Sequence, residues 1–288
     1  MIRTQLRSFH AVAIHGGFTA ASKVLHIGQP TLTTQVRALE TRYNVDLFHR
    51  IGRKVVLTEV GKQLLELTVR ISSLDDEAHS LLEAHAGLTA GRLRVAAVGP
   101  FHAIDMISEF KQRFPGVEVT VLLGNSQQTI ERLLDYQADV AVTAHLESHE
   151  RVRMLPYSTH SVVAFVNADH RFFDRSTISI HEMSNERVVM REEGSTTRTA
   201  FDIALSRADV RVEQVLEIGS REGVWKAVER GMGIGVVADF EFVAHPRLRT
   251  VAFDDVTIRT EYFLAHLHER ESSHLIRAFC DVALTAAT

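Results

Sequence analysis

A long apolar repeat limits, more than any other feature, how this chain can fold. Between residues 60 and 85, apolar side chains (with one histidine at the end) recur at alternating spacings of four and three residues. The repeat consists of Val60, Leu64, Leu67, Ile71, Leu74, Ala78, Leu81 and His85. A heptad pattern of this length predicts one continuous helix of about 39 Å, at 1.5 Å per residue. Such a helix either dimerises two chains as a coiled-coil linker or lies along a core within one chain.

The repeat follows a segment whose charge differs from that of the rest. Residues 1–70 hold ten Lys or Arg and four Asp or Glu, a balance of +6, whereas residues 71–288 hold 22 and 32, a balance of −10. Together these give the net charge of −4. A small basic segment on an acidic body is typical of a module that binds a polyanion, although a solvated basic surface has the same composition.

Length and composition exclude several classes of protein. A chain of 288 residues with 45% hydrophobic and 24% charged residues has the size of about two globular domains. The one cysteine, Cys280, excludes an internal disulfide. No apolar run reaches the roughly 18 residues of a membrane span, and the first residues lack the pattern of a signal peptide. We therefore expect a cytosolic protein with no membrane partner.

The residues before the repeat predict a helix-turn-helix. Apolar residues with helical spacing over residues 4–16 end at Gly16-Gly17, and Thr19 is placed to cap a second short helix. A third helix begins at Gln29-Pro30, where proline suits the first turn, and its outward residues are polar. Residues 47–58 then predict a hairpin wing with basic residues at its tip.

Beyond Gly91 the pattern changes to alternating strands and helices. Apolar strand-like segments such as 93–98, 117–122 and 139–143 alternate with helical segments to the end of the chain. Repeated βα units predict mainly parallel sheets with covered faces, and therefore an α/β fold.

These residues resemble the LysR-type transcriptional regulators. The matching motifs are Leu6-x-x-Phe9-x-x-Val12-Ala13, Gly17-Phe18-Thr19-x-Ala21, Gln29-Pro30, Thr33-x-Gln35-Val36, Leu47-Phe48-x-Arg50 and Arg53-x-x-x-Leu57-Thr58-x-x-Gly61. The resemblance implies an all-α winged helix-turn-helix at residues 1–58, a dimerising linker helix at 59–88 and an effector-binding domain at 91–288. That domain would resemble periplasmic binding proteins, with an α/β lobe I at about 91–162 and 266–288 and a lobe II at about 163–265. Family members act as homodimers or dimers of dimers on double-stranded promoter DNA, with RNA polymerase as a further candidate partner.

The second helix of a helix-turn-helix presents its first residues to base edges in the major groove. The residues that we expect to contact DNA are Lys23, Gln29, Pro30, Thr31, Thr33, Thr34, Arg37, Arg53 and Lys54. Gln suits adenine, a Thr methyl suits thymine, and the basic side chains suit phosphates. For each residue alone, a solvated surface side chain is the alternative. Asn44 stands where the family usually has glycine, which predicts a left-handed backbone there.

Ligands of open α/β folds lie where strands end and helices begin. The effector-binding candidates follow four such strands, and they are Pro100, Phe101, His102, Asn125, Ser126, Ser195, Thr196, Thr197, Arg198, Ser220 and Arg221. The Gly194–Arg198 turn offers free N–H groups, hydroxyls and a guanidinium, which suit a small anion. The alternative is plain capping of the helix by Ser195, with Arg198 in a surface ion pair.

Two further motifs make the prediction of the effector more specific. Arg191-Glu192-x-Gly194-Ser195-x-Thr197-Arg198, followed by Ile218-Gly219-Ser220-Arg221-Glu222, resembles the family subgroup linked to 2-aminoethylphosphonate catabolism. The resemblance implies a phosphonate effector, although similar turns occur in members with other anions. The rival functions are a ligand-blind DNA-binding protein and a solute-binding protein.

The chain lacks the signatures of an enzyme. It contains no Gly-x-Ser-x-Gly, P-loop or Cys-x-x-Cys motif. Gly231-Met232-Gly233-Ile234-Gly235 follows a predicted helix and precedes a predicted strand, which is the reverse of a dinucleotide-binding order. The close pairs His145/His149 and His266/His268 lack the accompanying ligands of a metal site. We therefore expect no enzyme activity, no cofactor and no metal.

Overall fold

The computed structural model describes residues 2–51, 54–85, 91–144 and 149–286. The chain divides into two compact units, Met1–Leu82 and Glu83–Thr288, called unit 1 and unit 2 below. Among the described helices, none combines the length and the apolar character that crossing a membrane requires.

Unit 1 contains three short helices and a hairpin before the long helix. The elements are α1 (Ile2–Ile14), α2 (Phe18–Leu25), α3 (Gln29–Tyr43), β1 (Phe48–Ile51), β2 (Lys54–Leu57) and α4 (Glu59–His85). Their apolar faces enclose a core built around Phe9, Leu32, Val36 and Leu47, each no more than 1% exposed. The predicted helices, the antiparallel wing hairpin and the continuous long helix are confirmed.

The ends of the short helices differ in part from the prediction. The capping role predicted for Thr19 is wrong: α2 already begins at Phe18, with Gly17 at the N-cap position. Since Thr19 lies inside the first turn, its hydroxyl instead donates to Gln29 Oε1 at 3.2 Å. The start of α3 at Gln29 is confirmed, and Asn44 has the predicted left-handed backbone, with φ 51°.

Unit 2 contains two α/β lobes, of which lobe I comes first. Lobe I contains β3 (Gly91–Ala97), α5 (Pro100–Arg113), β4 (Val117–Leu123), α6 (Ser126–Leu134), β5 (Val140–Ala144) and the final helix α9 (His274–Ala286). Strand β3 pairs in parallel with both β4 and β5, as the βα pattern predicts. The helices cover a core that includes Leu93, Phe110 and Phe279.

Two long strands join the lobes. These are β6 (Val152–Asn167) and β12 (Arg259–Leu267), which pair antiparallel with each other. The last residues of β6 pair instead with β10 (Gly235–Ala238) and β11 (Leu248–Phe253) of lobe II. The prediction of mainly parallel sheets is therefore wrong at the junction, where strands run antiparallel because the chain passes from one lobe to the other and returns.

Lobe II holds the remaining elements. They are β7 (Thr177–Ile178), β8 (Arg187–Arg191), α7 (Thr196–Arg207), β9 (Glu213–Ile218) and α8 (Arg221–Glu229), with 3₁₀ turns at Ile180–Met183 and Asp239–Glu241. Strands β8 and β9 pair in parallel, so the helices that follow them, α7 and α8, begin at the same edge. That edge faces lobe I and forms the candidate effector site.

Candidate functional site

The first candidate site is the outer face of α3 in unit 1. Six of the predicted DNA contacts are exposed: Lys23, Gln29, Pro30, Thr31, Thr34 and Arg37. Thr33 is half-buried, and its hydroxyl donates to the Gln29 carbonyl at 2.9 Å, which turns it back along the helix. On the opposite face, Leu32, Val36 and Leu39 are buried, so the apolar spacing fixes which side of α3 meets solvent.

For the wing, the strand pairing is defined better than the positions of its individual side chains. Phe48 pairs with Leu57 and Ile51 with Lys54 in the antiparallel ladder of β1 and β2. Lys54 therefore begins the second strand of the wing. Arg53, the other predicted wing contact, lies outside the described residues.

The second candidate site lies between the lobes of unit 2, where α6 and α7 begin. Asn125 closes a capping box at the start of α6: its side chain accepts from Gln128 N at 2.9 Å. Its Nδ2 also donates across to the Glu193 carbonyl of lobe II at 3.3 Å. Beside it, the hydroxyls of Ser126 and Thr196 lie 3.3 Å apart. The structure thus brings the predicted residues of both lobes into direct contact and closes the cleft.

Arg221 makes a second connection between the lobes. Its guanidinium pairs with Glu241 (Nε to Oε2 2.9 Å, Nη2 to Oε1 2.8 Å) and donates from Nη1 to the Val98 carbonyl of lobe I. Gly99 makes room for this approach, because a Cβ there would lie 2.7 Å from Arg221 Nη1. Burial raises the pKa of Glu241, which is 2% exposed, although the nearby Arg221 and Arg191 oppose the rise.

Arg191 is a functional candidate that the sequence analysis left out of the site. It is the last residue of β8, is 8% exposed and pairs with the Glu192 carboxylate through Nε at 2.7 Å and Nη2 at 2.8 Å. With Thr197, Arg221 and Glu241 it lines a small cavity of about 10 Å³. The rule that ligands lie at strand ends selects Arg191, since the residue ends β8 three positions before the Gly194 turn.

Arg198 has a different environment from the one predicted. Its Nη1 donates to Glu217 Oε2 at 2.7 Å and to the Arg191 carbonyl at 2.8 Å, and its Nε lies 3.5 Å from Asp202 Oδ2. The bond to Glu217 raises the pKa of Arg198, so its charge is already balanced within lobe II. This is the surface ion pair that the sequence left open as the alternative. Arg191 and Arg221, also paired with carboxylates, are the arginines that line the small cavity.

Ser195, Thr197 and Ser220 lie at helix starts. Ser195 and Thr197 are 5% and 6% exposed, and Ser195, at the N-cap position of α7, makes no side-chain capping bond within the described residues. Ser220 is exposed and caps α8, where its hydroxyl accepts from Gly223 N at 3.0 Å. The capping alternative therefore describes Ser220, whereas Thr197 lines the small cavity with Arg191 and Arg221.

The three residues predicted from the start of α5 lie in two places. Pro100 and Phe101 line a pocket of about 310 Å³ that shares Arg221, Trp225 and Glu241 with the small cavity of the cleft. His102 instead packs at the junction of the lobes, stacked on Phe240 with ring centroids 4.1 Å apart. Burial, aided by the charge of His160, lowers the pKa of His102 to about 4, so the ring is neutral at pH 7.

Comparison with known proteins covers the whole chain. The family model described as LysR substrate binding domain matches residues 86–288, and that of the bacterial regulatory helix-turn-helix protein, lysR family, matches residues 3–62. The transcriptional activator CmpR of Synechocystis sp. is 28% identical over 96% of this chain and 93% of its own. Such relatives are transcriptional regulators and not enzymes.

Solved structures of related proteins have the same fold. CbnR in complex with its target DNA superposes with a TM-score of 0.74 over all of both chains at 20% identity, which establishes the two-unit fold. The regulatory domain of CcmR from Synechocystis PCC6803, solved in complex with 2-PG, is 27% identical with a TM-score of 0.63, over 68% of this chain and 97% of that one. The chain therefore belongs to the LysR family of DNA-binding transcriptional regulators.

Proposed function

We propose that promoter binding by unit 1 is controlled by a small anion that binds between the lobes of unit 2. The observation that carries this proposal is the pair of guanidiniums, those of the buried Arg191 and the half-buried Arg221, which line one cavity with Thr197. Arg groups bind carboxylates, phosphates and phosphonates through paired N–H bonds. The nearby start of α7 adds free backbone N–H groups. 2-Aminoethylphosphonate and related phosphonates are members of this class.

The closed cleft suggests how an effector acts. A cavity of about 10 Å³ holds no more than about one water molecule, so an effector at Arg191 needs the cleft to widen, and the contacts of Asn125 and Ser126 with lobe II oppose that widening. Both arginines are paired with carboxylates, Glu192 and Glu241. An incoming anion must share or replace one of these partners. Binding therefore selects a different arrangement of the lobes, which is the basis of a population shift. The 2-PG complex of the related CcmR domain supports a small effector for this chain as well.

We also propose that the chain is organised as residues 1–58 for DNA binding, 59–88 for dimerisation and 91–288 for effector binding, with lobes divided near residues 162 and 265. The exposed fractions of Val60, Leu67 and Leu74 on α4 are 45%, 53% and 62%. These heptad residues are apolar and open to solvent in the single chain, which supports pairing with α4 of a second copy in a homodimer or a dimer of dimers.

Thermal melting with a panel of anions tests the effector. The panel contains inorganic phosphate, sulfate, 2-aminoethylphosphonate and short carboxylates. A ligand at 100 times its Kd adds about 2.7 kcal/mol to stability. We expect Arg191→Lys, which keeps the charge but removes the bidentate geometry, to lose most of that gain. The matched control Arg198→Lys, at an arginine paired with Glu217, keeps it.

The outcomes separate the parts of the proposal. If no anion in the panel shifts the melting temperature, the proposal of an anionic effector is wrong, and the assignment as a DNA-binding regulator is unaffected. A shift that survives Arg191→Lys but disappears in Arg198→Lys moves the anion to Arg198. If the anion binds without changing the protein's affinity for promoter DNA or its footprint there, unit 2 does not control unit 1 through this ligand. The chain then binds DNA without responding to this anion.

A further inference from the structure

Three polar atoms converge where the lobes join. His102 Nε2 on α5, His160 Nε2 on β6 and Ser158 Oγ on β6 lie 3.1 Å from one another in each of the three pairs. The sequence alone gives no sign of this cluster, because His102 and His160 are 58 residues apart. The strand β6 and the start of α5 bring them together only in the folded unit.

The available protons do not satisfy all three contacts. A neutral imidazole carries one N–H. His160 Nδ1 lies 3.3 Å from Asp239 Oδ1, which draws the proton of His160 to that side and leaves Nε2 as an acceptor. His102 and Ser158 then supply one proton each for three contacts. One of the three contacts is therefore left without a proton of its own. With the proton of His102 on Nδ1 instead, its Nε2 lone pair points toward those of His160 and Ser158, and lone pairs that converge on one point suit a cation.

The dimensions fit a divalent transition metal. An ion with tetrahedral bonds of about 2.0 Å holds its ligand atoms about 3.3 Å apart, close to the 3.1 Å edges of this triangle. The Asp239 carboxylate behind His160 is the kind of outer partner that orients a ligating imidazole. His102 is held by its stacking on Phe240, with the ring planes 13° apart.

We propose that His102, His160 and Ser158 form a site for one divalent transition-metal ion of the kind that imidazole prefers, Zn²⁺, Ni²⁺ or Cu²⁺. No group of three or more His, Cys, Asp or Glu suited to a metal occurs in the described ranges. The site is therefore a two-histidine site completed by the Ser158 hydroxyl and water, and its ion exchanges with solvent. The His160 side chain is 22% exposed and that of Asp239 48%, so an ion has access.

Because of its position, the metal site gives unit 2 a second ligand signal besides the anion. His102 belongs to lobe I, His160 lies on the crossing strand and Asp239 begins a 3₁₀ turn of lobe II. An ion bound here links these three parts. It acts at the junction of the lobes and not in the cleft of Arg191 and Arg221, so this proposal does not depend on the anion site.

The test is metal titration of the purified full-length protein after treatment with EDTA. Calorimetry with Zn²⁺ measures stoichiometry and affinity, and Co²⁺ reports imidazole ligation by its visible absorption. We expect one ion per chain. His102→Asn and His160→Asn each abolish the signal, and Asp239→Asn weakens binding about 10- to 100-fold, as loss of an outer partner does. His268→Asn, at an exposed histidine outside the cluster, is the control and binds like the wild type.

Two results overturn the proposal. One is the absence of stoichiometric binding by the wild type. The other is equal affinity in the wild type and the His102, His160 and Asp239 variants, which places the ion on other histidines of the 16 in the chain. If the His102 variant fails to fold, judged by circular dichroism without metal, the half-exposed Asp239 provides the decisive variant, because its replacement leaves the core intact.

Discussion

Replacement of Arg221 by methionine tests the buried ion pair at the cleft. The change keeps much of the apolar stem of Arg221 but leaves Glu241, 2% exposed, without its two charged hydrogen bonds. Removal of one partner from a buried pair costs about 3–5 kcal/mol. Arg221 itself is 19% exposed at its side chain, so we expect the lower half of that range. The double variant Arg221→Met/Glu241→Gln removes both charges, and we expect it to recover much of the loss.

The pH dependence gives an independent check. Burial raises the pKa of Glu241 in the folded protein, and loss of Arg221 removes an opposing effect, so the pKa rises further. A group whose pKa is raised by folding favours the folded state below its unfolded pKa and opposes it as pH increases through the folded value. The destabilisation by Arg221→Met is therefore larger at pH 7.5 than near pH 4.5.

Urea unfolding followed by tryptophan fluorescence measures both effects. The one tryptophan in the chain, Trp225, lies on α8 one turn after Arg221 and reports on unit 2. A single variant within about 0.5 kcal/mol of the wild type at pH 7.5 would show that the pair is solvated like a surface ion pair. A double variant no more stable than the single would show that the loss comes from packing and not from the unpaired carboxylate.

Three further predictions concern other parts of the molecule. Arg37→Ala should weaken DNA binding at all sequences alike and reduce the slope of log K against log salt by about 0.9, if Arg37 neutralises one phosphate; an unchanged slope in a fluorescence-anisotropy titration contradicts this. Leu74→Lys should shift the chain toward monomer in analytical ultracentrifugation, because Leu74 is apolar and 62% exposed on α4; an unchanged sedimentation profile removes Leu74 from the interface. Burial raises the pKa of Asp139, but the bonds and charges of Arg94 and Arg270 outweigh this and lower it. Asp139 therefore stabilises the fold above its unfolded pKa and loses this contribution as pH falls through the lower folded value, so Asp139→Asn should cost about 3–5 kcal/mol at pH 7 and less in acid, measured by urea unfolding.

The local elements of unit 1 could be predicted because each depends on neighbouring residues. Pro30 in the first turn and the spacing of Leu32, Val36 and Leu39 define α3, and the heptad defines α4. The Thr19 cap was wrong because Gly17 takes the N-cap position two residues earlier in the chain. Helix starts depend on which of several adequate caps is used, and the energies differ by about 1 kcal/mol or less.

The cleft was predicted only in outline, since its decisive contacts join distant residues. The strand-end rule located the turns of Asn125 and Ser195, and the structure brings these two turns together across the cleft between the lobes. The rule does not identify partners, however: Glu241 is 20 residues from Arg221, and Glu217 is 19 residues from Arg198. Sequence spacing therefore could not show that Arg198 is balanced by an acid within its own lobe, nor that Arg221 reaches the Val98 carbonyl of the other lobe.

The strength of the contacts across the cleft decides whether an effector can change the lobe arrangement. The Asn125 and Ser126 contacts are each 3.3 Å long, at the weak end for hydrogen bonds, and a typical hydrogen bond contributes about 0.5–1.5 kcal/mol net. Two such bonds together stabilise closure by about 1–3 kcal/mol. An effector at 100 times its Kd supplies about 2.7 kcal/mol if it binds one arrangement only, which is comparable. The Asn125 and Ser126 contacts are thus weak enough for a small anion to open, and the third bond between the lobes, from Arg221 to the Val98 carbonyl, involves an arginine that the anion itself would engage. A substitution such as Ser126→Ala, which removes one contact without touching Arg191 or Arg221, should favour the open arrangement and alter the apparent anion affinity by less than about tenfold.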